Sequence, residues 1–309
     1  MLPTSRLVRR SVLTVDGANQ AAVASASRAD PDAIVLDPPE DLAAMRVALP
    51  EALTAAKRGG AEVFVRIDKR RAHAQLKAAV RPGLDGIVLP DPESAADVAR
   101  LERIVADRER EEGLLEDSIE ILPLLGTPRG IWNVREIVNA TARIRCAAID
   151  EVQLCRSLAI VPTGEFDVLS FSRGRVIVET LAAVKLPLGI GHPLAALPRE
   201  ADHDEVLGVA DRARNSGFKG ALCPFPGWIA ACNQAFTPSD EQVEYYRAIR
   251  KAFAEGIARG TAAVPFPGGR MIDVPVDERA RLVIDWWERC QRRDAEKAAA
   301  RSTQGERTA

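Results

Sequence analysis

Short, almost continuously apolar segments alternate with longer segments of helical periodicity along most of the chain. The apolar segments are rich in Val, Ile and Leu, which is typical of strands that are covered on both faces. Eight such segments occur between Arg9 and Cys223: RRSVLTV, AIVLD, EVFVRID, GIVLP, EILPLLG, RCAAID, PLGIG and KGALC. Helical patterns such as EDLAAMRVALPEALTAAKRG separate them. Strands and helices in this alternation predict a parallel α/β fold.

The number of repeats favours a closed barrel over an open sheet. Eight strand–helix units over about 230 residues fit a (β/α)8 TIM barrel. The alternative is an open, doubly wound sheet, which a glycine-rich phosphate loop after the first strand would favour. The segment at that place, TVDGANQA, does not have the GxGxxG spacing. We therefore predict a barrel in residues 1–236.

The pattern changes after Phe236. An amphipathic segment, SDEQVEYYRAIRKAFAEGIARG, begins with Ser239 as a predicted helix N-cap. A Pro/Gly loop and a second helical segment, DERARLVIDWWERCQRRDAEKAAA, follow it. We predict a C-terminal helical extension over residues 237–294 that makes a subunit contact. Residues 295–309 are predicted to form a flexible tail.

Composition and charge limit the classes of partner and the cellular compartment that we expect for this protein. The net charge is -2 with a pI of about 6.1, and acids and bases are interspersed, which argues against nucleic-acid binding. No apolar segment approaches the roughly 20 residues of a membrane helix, and Arg6, Arg9 and Arg10 interrupt the start where a secretory signal would be apolar. The five cysteines include no CxxC pair, which favours free thiols in a reducing compartment. We predict a cytoplasmic protein without a membrane partner.

Charged residues follow the ends of several predicted strands, where a barrel of this type carries its functional groups. Asp37 and Glu40 follow the second strand, Arg66 ends the third, Asp91 follows the fourth and Glu151 the sixth. An arginine in an apolar strand is costly unless it meets an anion, so Arg66 is predicted to bind a ligand or to form an ion pair. Asp37 and Asp91 have an alternative interpretation as helix N-caps beside prolines.

Seven segments resemble, in order, the motifs of the citrate lyase beta-subunit-like branch of the HpcH/HpaI aldolase family: RSVLTVDG, AIVLDPPEDL, VFVRID, GLDGIVLPDPESAADV, GTPRGIWNVREI, NQAFTPSDEQV and GGRMIDVPV. The resemblance runs from about Arg10 to Arg281. It implies a (β/α)8 barrel, a homotrimer, and a lyase that cleaves or forms a carbon–carbon bond in a citryl-, citramalyl- or malyl-CoA type thioester. It also implies Mg²⁺, held by one Glu and one Asp, which would polarise the substrate oxygen and stabilise the enolate.

The resemblance assigns roles to several residues. Arg66 matches the arginine that contacts the substrate. Asp273, in GGRMIDVP, matches the aspartate that reaches the site of a neighbouring subunit. These two are the predicted catalytic residues. The residues predicted to bind the acyl-CoA, or a related thioester or carboxylate ligand, are Asp37, Asp91, Thr127 and Arg129.

The metal positions depart from the family pattern. Gly126 stands where the family has its first metal ligand, a glutamate, and Asp91 stands where the family has a lysine. The second ligand follows strand six, and the stretch AAIDEVQL leaves its register open. A strict count gives Val152 or Gln153, whereas a small deletion gives Glu151. We predict Glu151, together with Glu40, as the ligands of an altered site.

Three hypotheses remain open from the sequence. In the first, the chain is a lyase whose Mg²⁺ has shifted toward Asp37, Glu40, Asp91 and Glu151. In the second, it is a metal-free enzyme that uses Arg66 and Asp273. In the third, it is a catalytically inactive paralogue that binds a ligand or partners an active homologue. The sequence accordingly predicts Mg²⁺ binding that is weak or absent.

Overall fold

Eight parallel strands form the centre of the protein. The computed structural model describes residues 7–162, 167–190, 201–268 and 270–308, with side chains described up to residue 302. Each strand pairs in parallel with the next, β8 pairs with β1, and an isolated bridge joins Leu188 to Gly220 between β7 and β8. The predicted (β/α)8 barrel is therefore confirmed. The strands are β1 Ser11–Asp16, β2 Ala33–Asp37, β3 Glu62–Arg66, β4 Gly86–Pro90, β5 Glu120–Leu125, β6 Cys146–Ile149, β7 Leu186–Leu188 and β8 Ala221–Cys223.

Helices follow the strands, and several of the longer ones begin with side-chain caps. Ser94, Asp202 and Ser239 each form a capping box, in which the cap side chain and a side chain three residues later bond each other's backbone. The helices are α1 Gln20–Arg28, α2 Leu42–Lys57, α3 Ala72–Ala79, α4 Ala95–Glu111, α5 Pro128–Trp132, α6 Val134–Val138, α7 Glu151–Ser157, α8 Ser170–Ala182, α9 His203–Ser216, α10 Ile229–Ala235, α11 Asp240–Ala258 and α12 Val274–Thr308.

The strands have two buried faces, which explains their continuous apolar sequences. Along β2, Ala33 and Val35 belong to the cluster inside the barrel, whereas Ile34 and Leu36 belong to the cluster between strands and helices. The same alternation holds along β3 to β6. Because side chains in a strand alternate with a period of two, the inner row of β2 continues to Asp37. The core packing thus determines which strand-end residues face the barrel axis.

The amino-terminal end of the barrel is closed by buried ion pairs. The fully buried Arg9 bonds Glu62 and Glu120, each at 2.6 Å, and its guanidinium lies 4.7 Å from the centre of the Phe64 ring. Glu62 and Glu120 are the first residues of β3 and β5, so this cluster lies at the end of the barrel opposite the strand termini that carry function. We therefore infer that this cluster of ion pairs stabilises the fold.

A second buried cluster surrounds Asp32, whose side chain has no exposed surface. Asp32 bonds the Arg10 guanidinium at 2.9 Å and the Lys297 ammonium at 2.9 Å. Burial alone would raise the pKa of Asp32, but the hydrogen bonds and charge of Arg10 and the charge of Lys297 outweigh it and lower the pKa to about 2. Asp32 is therefore ionised and paired at neutral pH.

Residues 237–296 form a second compact unit. It contains α11, an antiparallel pair of strands, β9 Val264–Phe266 and β10 Arg270–Ile272, and the first part of α12. Its own apolar cluster includes Ile249, Val264, Ile272 and Ala280. In the described part of the chain, no helix is both long and apolar enough to cross a membrane.

Helix α12 continues through the segment for which the sequence predicted a flexible tail. Residues 295–308 are helical, and residues from 297 onward belong to the same compact unit as the barrel. Lys297 is fully buried, and its ammonium group pairs with Asp32 and donates a hydrogen bond to the Asp30 carbonyl at 2.9 Å. This ion pair attaches the helix to the barrel at residue 297, and the flexibility of residues 295–309 stays a prediction.

Replacing Asp32 with asparagine (D32N) removes the charge that Arg10 and Lys297 share and leaves both cations buried. We expect the free energy of unfolding at pH 7 to fall by about 3–5 kcal/mol, the range for losing one partner of a buried pair. Because the folded-state pKa of Asp32 is depressed, its contribution is present above pH 3.8 and is lost as the pH falls towards 2. In urea unfolding, the difference between wild type and D32N should shrink over that range.

The matched control for this measurement is D107N. Asp107 forms an exposed ion pair with Arg110 one turn later on α4. Its loss should change the free energy of unfolding by less than about 0.5 kcal/mol. Equal stability of D32N and D107N at pH 7 would contradict the role assigned to Asp32.

Candidate active site

A cavity of about 750 Å³ opens at the carboxyl ends of the strands. It has the volume of a small-molecule site. Its charged lining combines several acids with three arginines, one at the end of β3, one just before α3 and one on α7. The charged residues include Asp37, Glu40, Arg66, Asp91, Asp150 and Arg156. Four of these, Asp37, Glu40, Arg66 and Asp91, are residues that the sequence singled out, and the structure brings them together.

Arg66 and Asp37 form an ion pair at the mouth of the barrel. Both are the last residues of neighbouring strands and follow the inner row of side chains, so they meet above the apolar interior. The Arg66 Nη2 atom lies 2.5 Å from Asp37 Oδ2, while 39% of the Arg66 side chain stays exposed. Burial raises the pKa of Asp37, although Arg66 acts in the opposite direction. Arg66, whose charge is costly in an apolar strand, is thus paired with Asp37. It still presents part of its guanidinium to the cavity.

The Asp91 carboxylate occupies the space beside Gly126. Asp91 has a left-handed backbone conformation, with φ of 49°. A Cβ atom on residue 126 would lie 2.5 Å from Asp91 Oδ1 and 2.7 Å from Gln153 Cγ. Atoms cannot approach so closely, so this position accepts only glycine as long as Asp91 and Gln153 stay in place.

The charge environment of Asp91 is mixed. Burial and the carboxylate of Asp150 raise the pKa of Asp91, whereas Lys69 and the Gly126 N–H lower it, and the net direction is upward. Lys69 donates its own hydrogen bond to the Asp91 backbone carbonyl at 2.9 Å. Asp91 and Asp150 are therefore near neighbours in the cavity, and each follows a strand adjacent to β5.

Glu151, the predicted metal ligand after β6, has another partner. Its side chain is 2% exposed and bonds the Arg173 guanidinium twice, at 2.6 and 3.0 Å. Burial raises its pKa to about 7, although Arg173 acts in the opposite direction. Glu151 is not among the residues that line the cavity. A cation could engage this carboxylate only if the ion pair to α8 opened.

Asp150, the neighbour of Glu151, is the acid that faces the cavity after β6. Its Oδ1 atom accepts a hydrogen bond from the Gln153 N–H at 2.9 Å and so caps α7. Sequence reasoning did not select it as a site residue. The signal was present, because Cys146 and Ala148 face the barrel interior and the period of two continues to residue 150.

Two of the remaining predicted residues, Thr127 and Arg129, are not among the residues that line the cavity. Thr127 caps α5 and accepts a hydrogen bond from the Gly130 N–H at 3.1 Å. Arg129 is 74% exposed, with Glu93 3.9 Å away. Asp273 belongs to the second unit, where it is exposed and accepts a hydrogen bond from the Val276 N–H at 3.1 Å at the start of α12. These contacts leave the predicted binding and catalytic roles of the three residues as predictions.

Comparison with known proteins agrees with the sequence resemblance. A sequence model described as HpcH/HpaI aldolase/citrate lyase matches residues 10–224. The citrate lyase subunit beta of Haemophilus influenzae is 28% identical over 90% of this chain and 96% of that protein. An L-malyl-CoA/beta-methylmalyl-CoA lyase of Cereibacter sphaeroides is 24% identical over 80% and 82%. The fold is similar to that of CitE from Mycobacterium tuberculosis in complex with magnesium, acetoacetate and coenzyme A, with a TM-score of 0.66, 22% identity, and coverage of 92% and 99%.

The close contact at Gly126 gives a stability prediction. In the G126A variant, the new Cβ would overlap Asp91 Oδ1 and Gln153 Cγ, so we expect the free energy of unfolding to fall by about 1–3 kcal/mol. The control is G174A in α8, where no atom lies within 4 Å of the added Cβ. Alanine there should raise the free energy by about 0.5–1 kcal/mol, because glycine is the poorer helix former. Urea unfolding measures both, and an equal shift in both variants would contradict the contact.

Proposed function

The chain belongs to the HpcH/HpaI aldolase/citrate lyase family, and from this premise we propose that it is a carbon–carbon lyase. Its substrate would be a 3-hydroxy-acyl thioester of the citryl-, citramalyl- or malyl-CoA type. The observation that carries the proposal is Arg66, which ends an inner strand row and presents its guanidinium to a 750 Å³ cavity. The similarity to citrate lyase subunits and to a malyl-CoA lyase supports it.

Arg66 would anchor the free carboxylate of the substrate. A guanidinium offers planar, paired N–H donors that match a carboxylate. Only its Nη2 atom is bonded by Asp37, and its exposed part faces the cavity. Asp37 would hold the guanidinium in this orientation. The thioester end of the substrate would then extend toward the Asp91 side of the same cavity.

Cleavage needs one group that takes a proton and returns it. A base removes the proton of the 3-hydroxyl group, the oxygen becomes a carbonyl, and the bond between C2 and C3 breaks. The electron pair passes to C2 and the thioester carbonyl as an enolate, and a proton added at C2 completes the acyl thioester. We assign both transfers to Asp273 of the partner subunit, whose carboxylate would enter the site in an oligomer.

Mg²⁺ fits the donor chemistry of the barrel mouth. Within the described ranges, no three acidic, histidine or cysteine side chains form a group that could hold a metal by itself. Mg²⁺ nevertheless requires only one or two carboxylates and keeps several waters. Asp37 Oδ1 is buried with no hydrogen-bond partner among the described residues, and the Asp91 carboxylate fills the place of a side chain at position 126. When bound, the cation would polarise the substrate oxygen and stabilise the enolate.

The two acids that the sequence selected as metal ligands differ in their availability. Glu40 is exposed and lines the cavity, so it can bind the cation either directly or through a water molecule. Glu151 would first have to break its ion pair with Arg173. The buried Arg173 guanidinium would then lose this carboxylate as a partner. We therefore retain Glu40 in the proposed site and place Glu151 in its support.

A second candidate function is favoured by Gly126. The residue leaves the fifth strand without an acid at its end, and a chain that had lost catalysis could still bind a carboxylate through Arg66. In that case, the protein would be a ligand-binding paralogue or the partner of an active homologue. Activity assays on the three thioester types distinguish this candidate from the lyase.

Arg66 is tested by R66A and R66K. If Arg66 anchors the substrate carboxylate, kcat/KM on the best of malyl-, citramalyl- and citryl-CoA should fall at least about 100-fold in R66A, which is about 2.7 kcal/mol of transition-state stabilisation. R66K should recover part of it, because lysine keeps the charge without the paired donors. The control is R103A on the surface of α4. An R66A variant as active as wild type would remove Arg66 from the site, and a wild type inactive on all three thioesters in the presence of Mg²⁺ would favour the second candidate.

Asp273 is tested by mixing inactive variants. If one subunit supplies Arg66 and its neighbour supplies Asp273, R66A and D273N should each be inactive as pure oligomers. Mixed oligomers, formed by co-expression, should contain some sites with both residues intact and recover up to about a quarter of wild-type activity, by random assembly of two-subunit sites. A monomer in light scattering, or mixed oligomers without activity, would contradict the assignment to a partner subunit.

A further inference from the structure

The acid that is missing from β5 has a counterpart on β4. Position 126 carries no side chain, and the space where its side chain would begin is filled by the Asp91 carboxylate, with Oδ1 2.5 Å from the position of a Cβ. A carboxylate is thus present at the end of β5, although no residue of β5 supplies it.

The backbone explains how Asp91 reaches this place. β4 and β5 are adjacent, with Pro90 paired to Leu124, and the Asp91 N–H continues the ladder to the Leu124 carbonyl at 2.8 Å. The chain then turns through the left-handed conformation of Asp91, which aspartate adopts more readily than most residues with a side chain. The Asp91 carboxylate lies against Gly126, with Oδ1 2.5 Å from the position that a Cβ on residue 126 would take. The two positions are therefore coupled through this steric contact.

The charged groups around Asp91 favour a bound cation. Asp91 and Asp150 follow the two strands that flank β5, and both line the same cavity. The Lys69 ammonium group donates its hydrogen bond to the Asp91 backbone carbonyl rather than to the carboxylate. A divalent cation between two carboxylates would relieve their repulsion, and aspartate oxygens are ligands that Mg²⁺ and Mn²⁺ prefer.

We propose that Asp91 supplies, from β4, the metal-binding carboxylate that the family pattern draws from position 126, and that Asp150 is its partner. The inference rests on the proposed function, because membership of the family is what implies the cation. It goes beyond that function because it names two positions, 91 and 126, at which a substitution in one requires a matching substitution in the other. An acid at position 126 and an acid at position 91 compete for the same space.

The test is Mn²⁺ binding to the full-length protein, measured from the electron paramagnetic resonance signal of free Mn²⁺ without any thioester present. We expect saturable binding to the wild type, a loss of affinity of at least about tenfold in D91N and D150N, and no change in D107N. The asparagine variants keep the shape of the side chain and its ability to accept hydrogen bonds. Thermal unfolding confirms that each variant is folded.

A rescue variant keeps the inference falsifiable if D91N does not fold. In D91A/G126E/Q153A, the two groups that a Cβ at position 126 would meet are shortened, and a glutamate restores an acid to β5. We expect Mn²⁺ affinity within about threefold of the wild type, whereas D91A/Q153A without the glutamate should bind at least about tenfold more weakly.

The outcomes separate this inference from the proposed function. A wild type that does not bind Mn²⁺, D91N or D91A/Q153A binding it as tightly as the wild type, or a rescue variant no better than D91A/Q153A would overturn the inference. Lyase activity that persists in such a case would leave the proposed function intact. Conversely, Mn²⁺ binding that depends on Asp91, in a protein inactive on all three thioesters, would support the inference and contradict the lyase.

Discussion

The two-residue period of the β-strands is the constraint on which both ends of this barrel depend. Every second side chain faces the axis, where Ala33, Val35 and Phe64 fill the interior, and the same rows continue past the apolar layer. At the carboxyl ends they deliver Asp37 and Arg66 into one cavity. A shift of one residue in any strand would exchange its inner and outer rows, so the apolar core and the charged mouth are specified together.

Much of the architecture could be predicted because its causes are local in the sequence. Strands covered on both faces have continuous apolar sequences, and N-cap residues such as Ser94 and Ser239 mark where helices begin. Arg66 could be selected because a charge in an apolar strand needs a partner, and Asp37 proved to be one. Asp150 could also have been selected by following the inner row of β6, a step that needs only the period of two.

The remaining features depend on residues that are distant in the chain. Glu151 follows a strand as a ligand should, yet Arg173 on α8 binds it, and no local pattern shows that pairing. The helical end of α12 is held by Lys297, whose partner Asp32 lies near the start of the chain. The coupling of Asp91 to Gly126 requires knowledge of the backbone turn after Pro90 and of the distance between neighbouring strand ends. Pairing and close approach of this kind are properties of the folded state.

The ion pair between Lys297 and Asp32 has a consequence for the order in which the protein can form. Asp32 lies immediately before β2, and the nearby Asp30, which also contacts Lys297, is separated from that lysine by 267 positions along the chain. During synthesis, all eight strands leave the ribosome before the ammonium group that balances Asp32 exists. Until α12 emerges, a nascent barrel would hold this acid against Arg10 without the Lys297 ammonium group. This ion pair can therefore form only after the whole second unit, residues 237–296, has been synthesised.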